Sequence, residues 1–405
     1  MISDSIPKKA DGQNKCPTAL MLGYFLYDHD ERVQGYVKFL TRAGYAVDVL
    51  CLGRGGERSS ALNKKAVRIF PLRDRKEGGR QRAGYLWEIL VFFTLALHRA
   101  ALLHRKNHYQ FIHVHNVPDF LVYAAWLPKI FGAKIILDIH DILPEFYARK
   151  FSMPMDSLAC KALLLIERLS CRLADHVIIA NDIWKDRIRN RSAQKKQCTA
   201  IVNYPDRDLF TPQDGSGPQG GKGCFTLIYH GSYTEHHGVD IAIRAVDILR
   251  RRIGPFRLLL YGRGSYEPEL RNLAESLGLM NWIEFRKPVS LEQVPQILGN
   301  ADVGVVPKRD GLFVGEAIST KLFQYVAMRV PVVVSRTVGE KQYFNEEEVK
   351  FFEPGNVEDL AQRIQELYED PQGRAERAQR GYRKMEEYSA AANEKKYLEL
   401  IYSLV

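Results

Sequence analysis

Residues 256–277 read FRLLLYGRGSYEPELRNLAESL. The apolar run 256–261 ends on Tyr261-Gly262-Arg263-Gly264-Ser265, and 268–277 then carries its apolar residues at helical spacing. Strand, glycine turn and helix in that order make half of a βαβ unit. The pattern extends in both directions. Strand 225–229 and helix 239–251 precede it. Strand 282–285, helix 291–298, strand 303–306, helix 320–328 and strand 332–335 follow, and the tail from 357 is helical and charged. The first half repeats the texture, with strands at 19–25, 46–52, 67–71, 111–115, 134–139, 176–180 and 199–203. Its helices are expected at 31–43, 85–105, 119–131 and 158–174. Such alternation predicts an α/β fold of parallel sheets covered by helices on both faces. Between the halves, TPQDGSGPQGGKG (211–223) has no apolar periodicity and reads as a linker. The expected division is 1–205, a linker 206–223, and 224–405, giving two doubly wound, Rossmann-like domains facing a cleft. In such folds ligands sit at the carboxyl ends of the strands.

Bulk composition agrees with two folded domains: 405 residues, 46% hydrophobic and 26% charged. The six cysteines are scattered without a C-x-x-C pair, which argues against zinc and disulfides and for a reducing compartment. The polar N-terminus does not read as a secretory signal, so a cytoplasmic location is expected. A net charge of +10 favours anionic partners. No helix-turn-helix, aromatic RNP pattern or zinc finger is visible, so nucleic acid is not an expected partner.

Several stretches could carry chemistry. Gly262 and Gly264 can let backbone approach a ligand, with a helix N-terminus offering N–H groups to phosphate. Glu267 stands where a dinucleotide fingerprint needs its third glycine, so an NAD site is disfavoured and a tight turn is the plain alternative. The stretch Tyr229-His230-Gly231-Ser232-Tyr233, with His236-His237-Gly238 after it, offers a glycine for diphosphate contact and side chains that donate hydrogen bonds. Most informative is Glu316 through Gln324. Ser319 or Thr320 can cap a helix whose first turn holds Lys321, and an ammonium at a helix N-terminus suits a diphosphate. Gln324, at i+3 from Lys321, shares its face and could reach a ribose hydroxyl.

Taken together, these pieces resemble the retaining glycosyltransferases of the GT-B fold, in particular the large family four (group 1). The family's K-L-F-E-Y-M-A-x-G-x-P-V-V-x-S stretch reads here Lys321-Leu-Phe-Gln324-Tyr325-Val-Ala-Met-Arg329-Val-Pro331-Val-Val-Val-Ser335. Val202-Asn203-Tyr204-Pro205-Asp206, Asn300-Ala301-Asp302-Val303, Val114-His115-Asn116 and Asp138-Ile139-His140-Asp141 also match, over about residues 18 to 390. The resemblance implies a nucleotide diphosphate sugar held by the C-terminal half and C-terminal helices packing back on the first domain. The implied acceptor is a glycan or a lipid-linked saccharide in polysaccharide or cell-envelope assembly. Lys321, Glu316 and His140 are the implied catalytic group, with His140 contacting the transferred sugar. His230, Gly231, Ser232, His237, Gly262, Arg263, Gly264, Ser319, Thr320 and Gln324 line the donor side. Asp30, Arg32, Asp141 and Glu145 face the acceptor. Attack on the donor's front face needs no enzyme nucleophile and no cofactor. No metal is expected either, since no D-x-D pair sits at a plausible donor position: Asp28-His29-Asp30 has that spacing but lies in the N-terminal half.

The chain departs from the family in three places. The paired glutamates become Glu316 and Gln324. The arginine after the glycine of the first C-terminal strand is Ser232, and the lysine before the next glycine is His237. Lys321 must then carry more of the diphosphate's charge, helped by Arg263 or by His237 if protonated. A sugar-nucleotide epimerase of the same fold and a non-catalytic partner subunit are the alternatives. Finally, helix 85–105 with Trp87, Leu90, Val91, Phe92, Leu95 and Leu102 follows the basic run Arg73, Arg75, Lys76, Arg80 and Arg82. It reads equally as a core helix or as a device for docking on an anionic membrane through 73–105, at the inner face.

Overall fold

A computed structural model of the chain describes residues 16–54, 66–75, 82–194, 197–212 and 224–405. Of the expected linker, 213–223 lies outside the described residues, as do Lys76 and Arg80. The chain forms two compact units, residues 1–115 with 121–136 and 405, and residues 116–120 with 137–404.

In the first unit β1 (Thr18–Leu26) is followed by α1 (Glu31–Arg42), β2 (Ala46–Gly53), β3 (Val67–Asp74), α2 (Arg82–Asn107), β4 (Phe111–His115) and α3 (Trp126–Ile130). Strand β1 pairs in parallel with β2 on one side and β4 on the other. Ala19, Leu20, Met21 and Leu22 are all fully buried, as a central strand covered on both faces requires. A helix expected over 119–131 is instead a 3-10 segment, Asp119–Ala125, and the five-residue α3. Pro128 has no N–H to donate, so it is tolerated in the first turn of a short helix and would break a long one.

Strand β5 (Lys134–Ile139) leads on to α4 (Leu143–Lys150), α5 (Leu158–Leu173), β6 (His176–Ile179), α6 (Asp182–Arg191) and β7 (Gln197–Ala200). The seven strands run in the order β3-β2-β1-β4-β5-β6-β7. Helices α4 and α6 were not anticipated. For α6 the signal was present: Asn181 accepts a hydrogen bond from Trp184 N at 2.8 Å, an N-cap immediately before an acidic first turn.

The second sheet lies within the second unit. It comprises β8 (Phe225–Ser232), α7 (Val239–Leu249), β9 (Phe256–Arg263), α8 (Glu267–Ser276), β10 (Ile283–Arg286), α9 (Val294–Leu298), β11 (Val303–Val306), α10 (Thr320–Ala327), β12 (Val332–Ser335), α11 (Val338–Lys341) and β13 (Lys350–Phe352). The strand order is β10-β9-β8-β11-β12-β13. Side chains of β8 alternate between two cores. Leu227 and Tyr229 pack with α7 residues such as Ile243 and Val246, whereas Ile228 packs with Leu322, Phe323 and Tyr325 of α10. Helices α12 (Val357–Glu369), α13 (Pro371–Lys384) and α14 (Ala390–Leu404) complete the chain. The strand order reverses between β8 and β11, so their carboxyl ends splay apart and leave a crevice. His230, Gly231, Ser232 and Lys308 stand at that crevice.

Candidate active site

At the mouth of the crevice Gly231 takes φ +128, a backbone state that favours glycine. The reason is the neighbour above it: a Cβ on Gly231 would lie 2.2 Å from Lys321 Cε and 3.0 Å from Nζ. The butylammonium arm of Lys321 thus runs across bare backbone, with Nζ 5.5 Å from the centre of the Tyr229 ring. Burial and the charge of Lys308, opposed by Glu340, pull the Lys321 pKa down to about 8. The neighbouring cation is itself neutralised, because Lys308 Nζ lies 2.7 Å from Glu340 Oε1 and both residues are buried.

Ser319 occupies the N-cap position of α10, but its side chain makes no capping hydrogen bond. The anticipated cap is absent, and the first-turn N–H groups beside Lys321 gain no side-chain acceptor from it. Gln324 is buried on the same helix.

The histidines around Lys321 are discharged. Burial first, then Lys321, pushes His230 down to about 3. Its Nε2 is buried without a hydrogen-bond partner, while its ring meets the edge of Tyr325 at 5.1 Å. His237 is pushed down to about 2 by burial and then by Lys321, His236, Lys308 and Arg149. Its Nε2 instead meets Ser232 Oγ at 2.9 Å. The protonated His237 considered from the sequence is therefore not the form this fold favours, since too many cations already face it. Burial, the larger cause, disfavours charge of either sign; only the share contributed by Lys321 and its cationic neighbours is a positive potential that attracts an anion.

A cavity of about 330 Å³ opens beside this group, walled by His230, Gly231, Ser232, Tyr261, Arg263 and the 288–294 segment. Arg263 is exposed at its edge. Gly262 and Gly264 act through packing. A Cβ on Gly262 would fall 2.0 Å from Gly231 O, and one on Gly264 2.0 Å from Tyr233 O. They let the ends of β8 and β9 close together, which is the tight-turn alternative, and thereby shape the wall.

Glu316 stands on the loop before α10 and is held by residues the sequence did not single out. Arg187 of α6 grips it with two bonds, Nη1 to Oε2 at 2.7 Å and Nη2 to Oε1 at 2.5 Å, and Trp184 Nε1 donates to Oε2 at 3.2 Å. Trp184 also stacks on Phe313 with ring centres 5.2 Å apart. A doubly gripped carboxylate is fixed in orientation, which suits holding a hydroxyl.

His140 follows β5, with Nε2 3.2 Å from Oδ2 of the fully buried Asp138. Its backbone N donates to Asn116 Oδ1 at 2.7 Å, and Asn116 Nδ2 donates to Asp141 O at 2.8 Å, so one amide shapes the whole loop. Burial raises the Asp141 pKa. Glu145, expected to face an acceptor, is 2% exposed and belongs to an ion network. Arg191 bonds both Glu145 and Glu167, and Arg187 Nη1 lies 3.5 Å from Glu145 Oε1. In the first unit Asp30 spends its carboxylate as the N-cap of α1, accepting from Val33 N at 3.0 Å. Arg32 lies 5.3 Å over the Tyr36 ring. Arg73, part of the basic run, is paired with Glu88 at 2.8 Å.

Residues 220–384 match the family model described as glycosyl transferases group 1, and residues 30–203 match the glycosyl transferase 4-like domain. A protein named as the colanic acid biosynthesis glycosyltransferase WcaL of Escherichia coli is 25% identical over 195 residues, 48% of this chain and 47% of that protein. The GDP-mannose-dependent alpha-(1-6)-phosphatidylinositol monomannoside mannosyltransferase of Mycolicibacterium smegmatis is 34% identical over 105 residues, 25% of this chain and 27% of that one. The chain thus matches less than half the length of each. Among solved structures, sucrose-phosphate synthase from Thermosynechococcus elongatus superposes with a TM-score of 0.77 at 18% identity, covering 96% of this chain and 99% of that one. HepE of Anabaena, in complex with UDP, superposes with a TM-score of 0.72 at 15% identity, covering 96% and 100%. Both halves thus resemble glycosyltransferase families, the second half matching the group 1 model, and the two-sheet architecture is the one seen in these solved glycosyltransferase structures.

Proposed function

We propose that the chain transfers a sugar, with retention, from a nucleoside diphosphate donor to a glycan or lipid-linked saccharide in polysaccharide or cell-envelope assembly. The observation that carries this reading is Lys321 lying across Gly231 at the β8/β11 crevice. A part-buried ammonium with its pKa pulled to about 8 and no carboxylate among the described residues bonded to it is a charge waiting for a polyanion. The departing diphosphate is neutralised by Lys321, with backbone N–H groups of α10 and Arg263 contributing, and not by a metal. The base and ribose enter the cavity beside Tyr261. HepE is named in complexes with UDP and UDP-glucose, which supports a nucleotide sugar as donor. Glu316, oriented by Arg187, holds a hydroxyl of the transferred sugar, and His140, oriented by Asp138, lies on the sugar's other side. The six cysteines are all free thiols, which supports a cytoplasmic site of action. Attachment is peripheral, at the inner face of the membrane.

The test is donor turnover with and without acceptor, after a thermal-shift screen of nucleoside diphosphates and their sugars. Transfer that needs an acceptor supports the reading. Nucleotide release without acceptor would favour epimerase chemistry. No stabilisation by any donor would favour a non-catalytic subunit.

A further inference from the structure

In the first unit a cavity of about 610 Å³ runs along the C-terminal half of α2 and α3. Its apolar lining includes Leu102, Leu127 and Phe131, and His98, Arg105 and His108 supply its basic rim. His104 also lines it, only 5% exposed, and its Nδ1 has no hydrogen-bond partner. Burial lowers the His104 pKa, so the ring offers a hydrogen bond and not a charge.

Exposed apolar side chains run along the outer faces of α2 and α3. Trp87 is 64% exposed, Trp126 51% and Phe131 74%, with Leu86, Leu90, Leu95 and Ile130 also exposed. The opposite side of α2, with Phe92, Ala96 and Ala100, is fully buried. Segment Leu86–Asn107 is long and apolar enough to cross a membrane, yet that side of it packs on the protein while most of the segment is not buried. The helix therefore lies at a surface and not through it. Charge points the same way. The chain has no carboxylate between Glu88 and Asp119, nor between Asp119 and Asp138, while Arg99, Arg105, Lys106, Lys129 and Lys134 fall there.

We propose that the α2–α3 groove seats one anionic phospholipid of the membrane surface. An acyl chain lies along Leu102, Leu127 and Phe131, and the phosphate meets Arg105, His98 and His108. The exposed tryptophans sit at headgroup depth around it. This rests on the peripheral attachment proposed above and moves its centre from the basic run at 73–82 to the groove.

The experiment is co-sedimentation with vesicles of equal parts phosphatidylglycerol and phosphatidylcholine, beside pure phosphatidylcholine. Wild type is compared with Leu102→Asp, Arg105→Glu and, as a charge control on α14, Lys395→Glu. Leu102 is 47% exposed, so aspartate there does not enter the core. Wild type should bind the anionic vesicles, both groove variants should lose at least about tenfold in affinity, and Lys395→Glu should lose little. Tryptophan fluorescence should be quenched by brominated acyl chains in wild type and not in Leu102→Asp. If wild type binds and the groove variants bind equally well, the groove assignment is overturned while peripheral attachment stands. If wild type ignores anionic vesicles at low salt, both fall. A UDP thermal shift unchanged across all variants would separate either failure from that of the nucleotide site.

Discussion

Replacing Lys321 by methionine separates a functional from a structural lysine, because the two roles predict opposite signs. Methionine keeps most of the stem that crosses Gly231 and removes the charge. The fold holds the Lys321 pKa at about 8, against an ordinary 10.5. Protonated lysine is thus penalised in the folded state. The penalty is full below about pH 8 and fades as pH rises from there to 10.5, where the unfolded chain also loses its proton. Against the ordinary 10.5, the penalty is at most about 3 to 4 kcal/mol. Lys321→Met should therefore raise the melting temperature at pH 7, with the gain shrinking above pH 8. Transfer should fall by on the order of 10²-fold or more, since the contact is made to charge developing on the leaving diphosphate. In wild type, UDP affinity should weaken as pH rises through about 8, and in the methionine variant that dependence should vanish. Thermal melts from pH 7 to about 10, isothermal titration with UDP, and a transfer assay with the donor found by screening would test all three. A variant that melts lower and transfers sugar normally would refute the reasoning, because Lys321 would then be a packing residue.

Gly231→Ala should cost about 2 kcal/mol from backbone strain and drive Lys321 from its place, lowering UDP affinity at least about tenfold. Unchanged affinity by titration would show that the lysine does not act where it lies. His140→Ala should reduce turnover far more than UDP affinity, because its ring meets Asp138 and its backbone N donates to Asn116; a lost UDP thermal shift would count against this. Arg191→Leu leaves Glu145 and Glu167 buried without their shared partner. It should destabilise by about 3–5 kcal/mol in urea unfolding, and a wild-type midpoint would contradict the network's structural duty.

Local pattern was enough for the architecture. Runs such as 256–261 and 303–306 are apolar without alternation because both faces of a parallel strand are covered, and that condition is visible residue by residue. Lys321, Gly231 and His230 stand out in the sequence as well, and the fold brings them together at the end of β8. Other matters required residues far apart in the chain to meet. Nothing near Glu316 in sequence indicates Arg187 and Trp184, which lie 129 and 132 positions away on a helix outside the pattern. Glu145 looks in sequence like an open acid after a strand. Only the return of α6 against it, bringing Arg191, turns it into a buried counter-ion. The charge on His237 could not be decided from residue type, because its proton is lost to burial and to Lys321, Lys308 and Arg149, which come from three separate segments. Periodicity and turn chemistry are local and survive in the bare sequence. Desolvation and Coulomb interaction depend on distance through space, and for these side chains only the folded chain sets that distance.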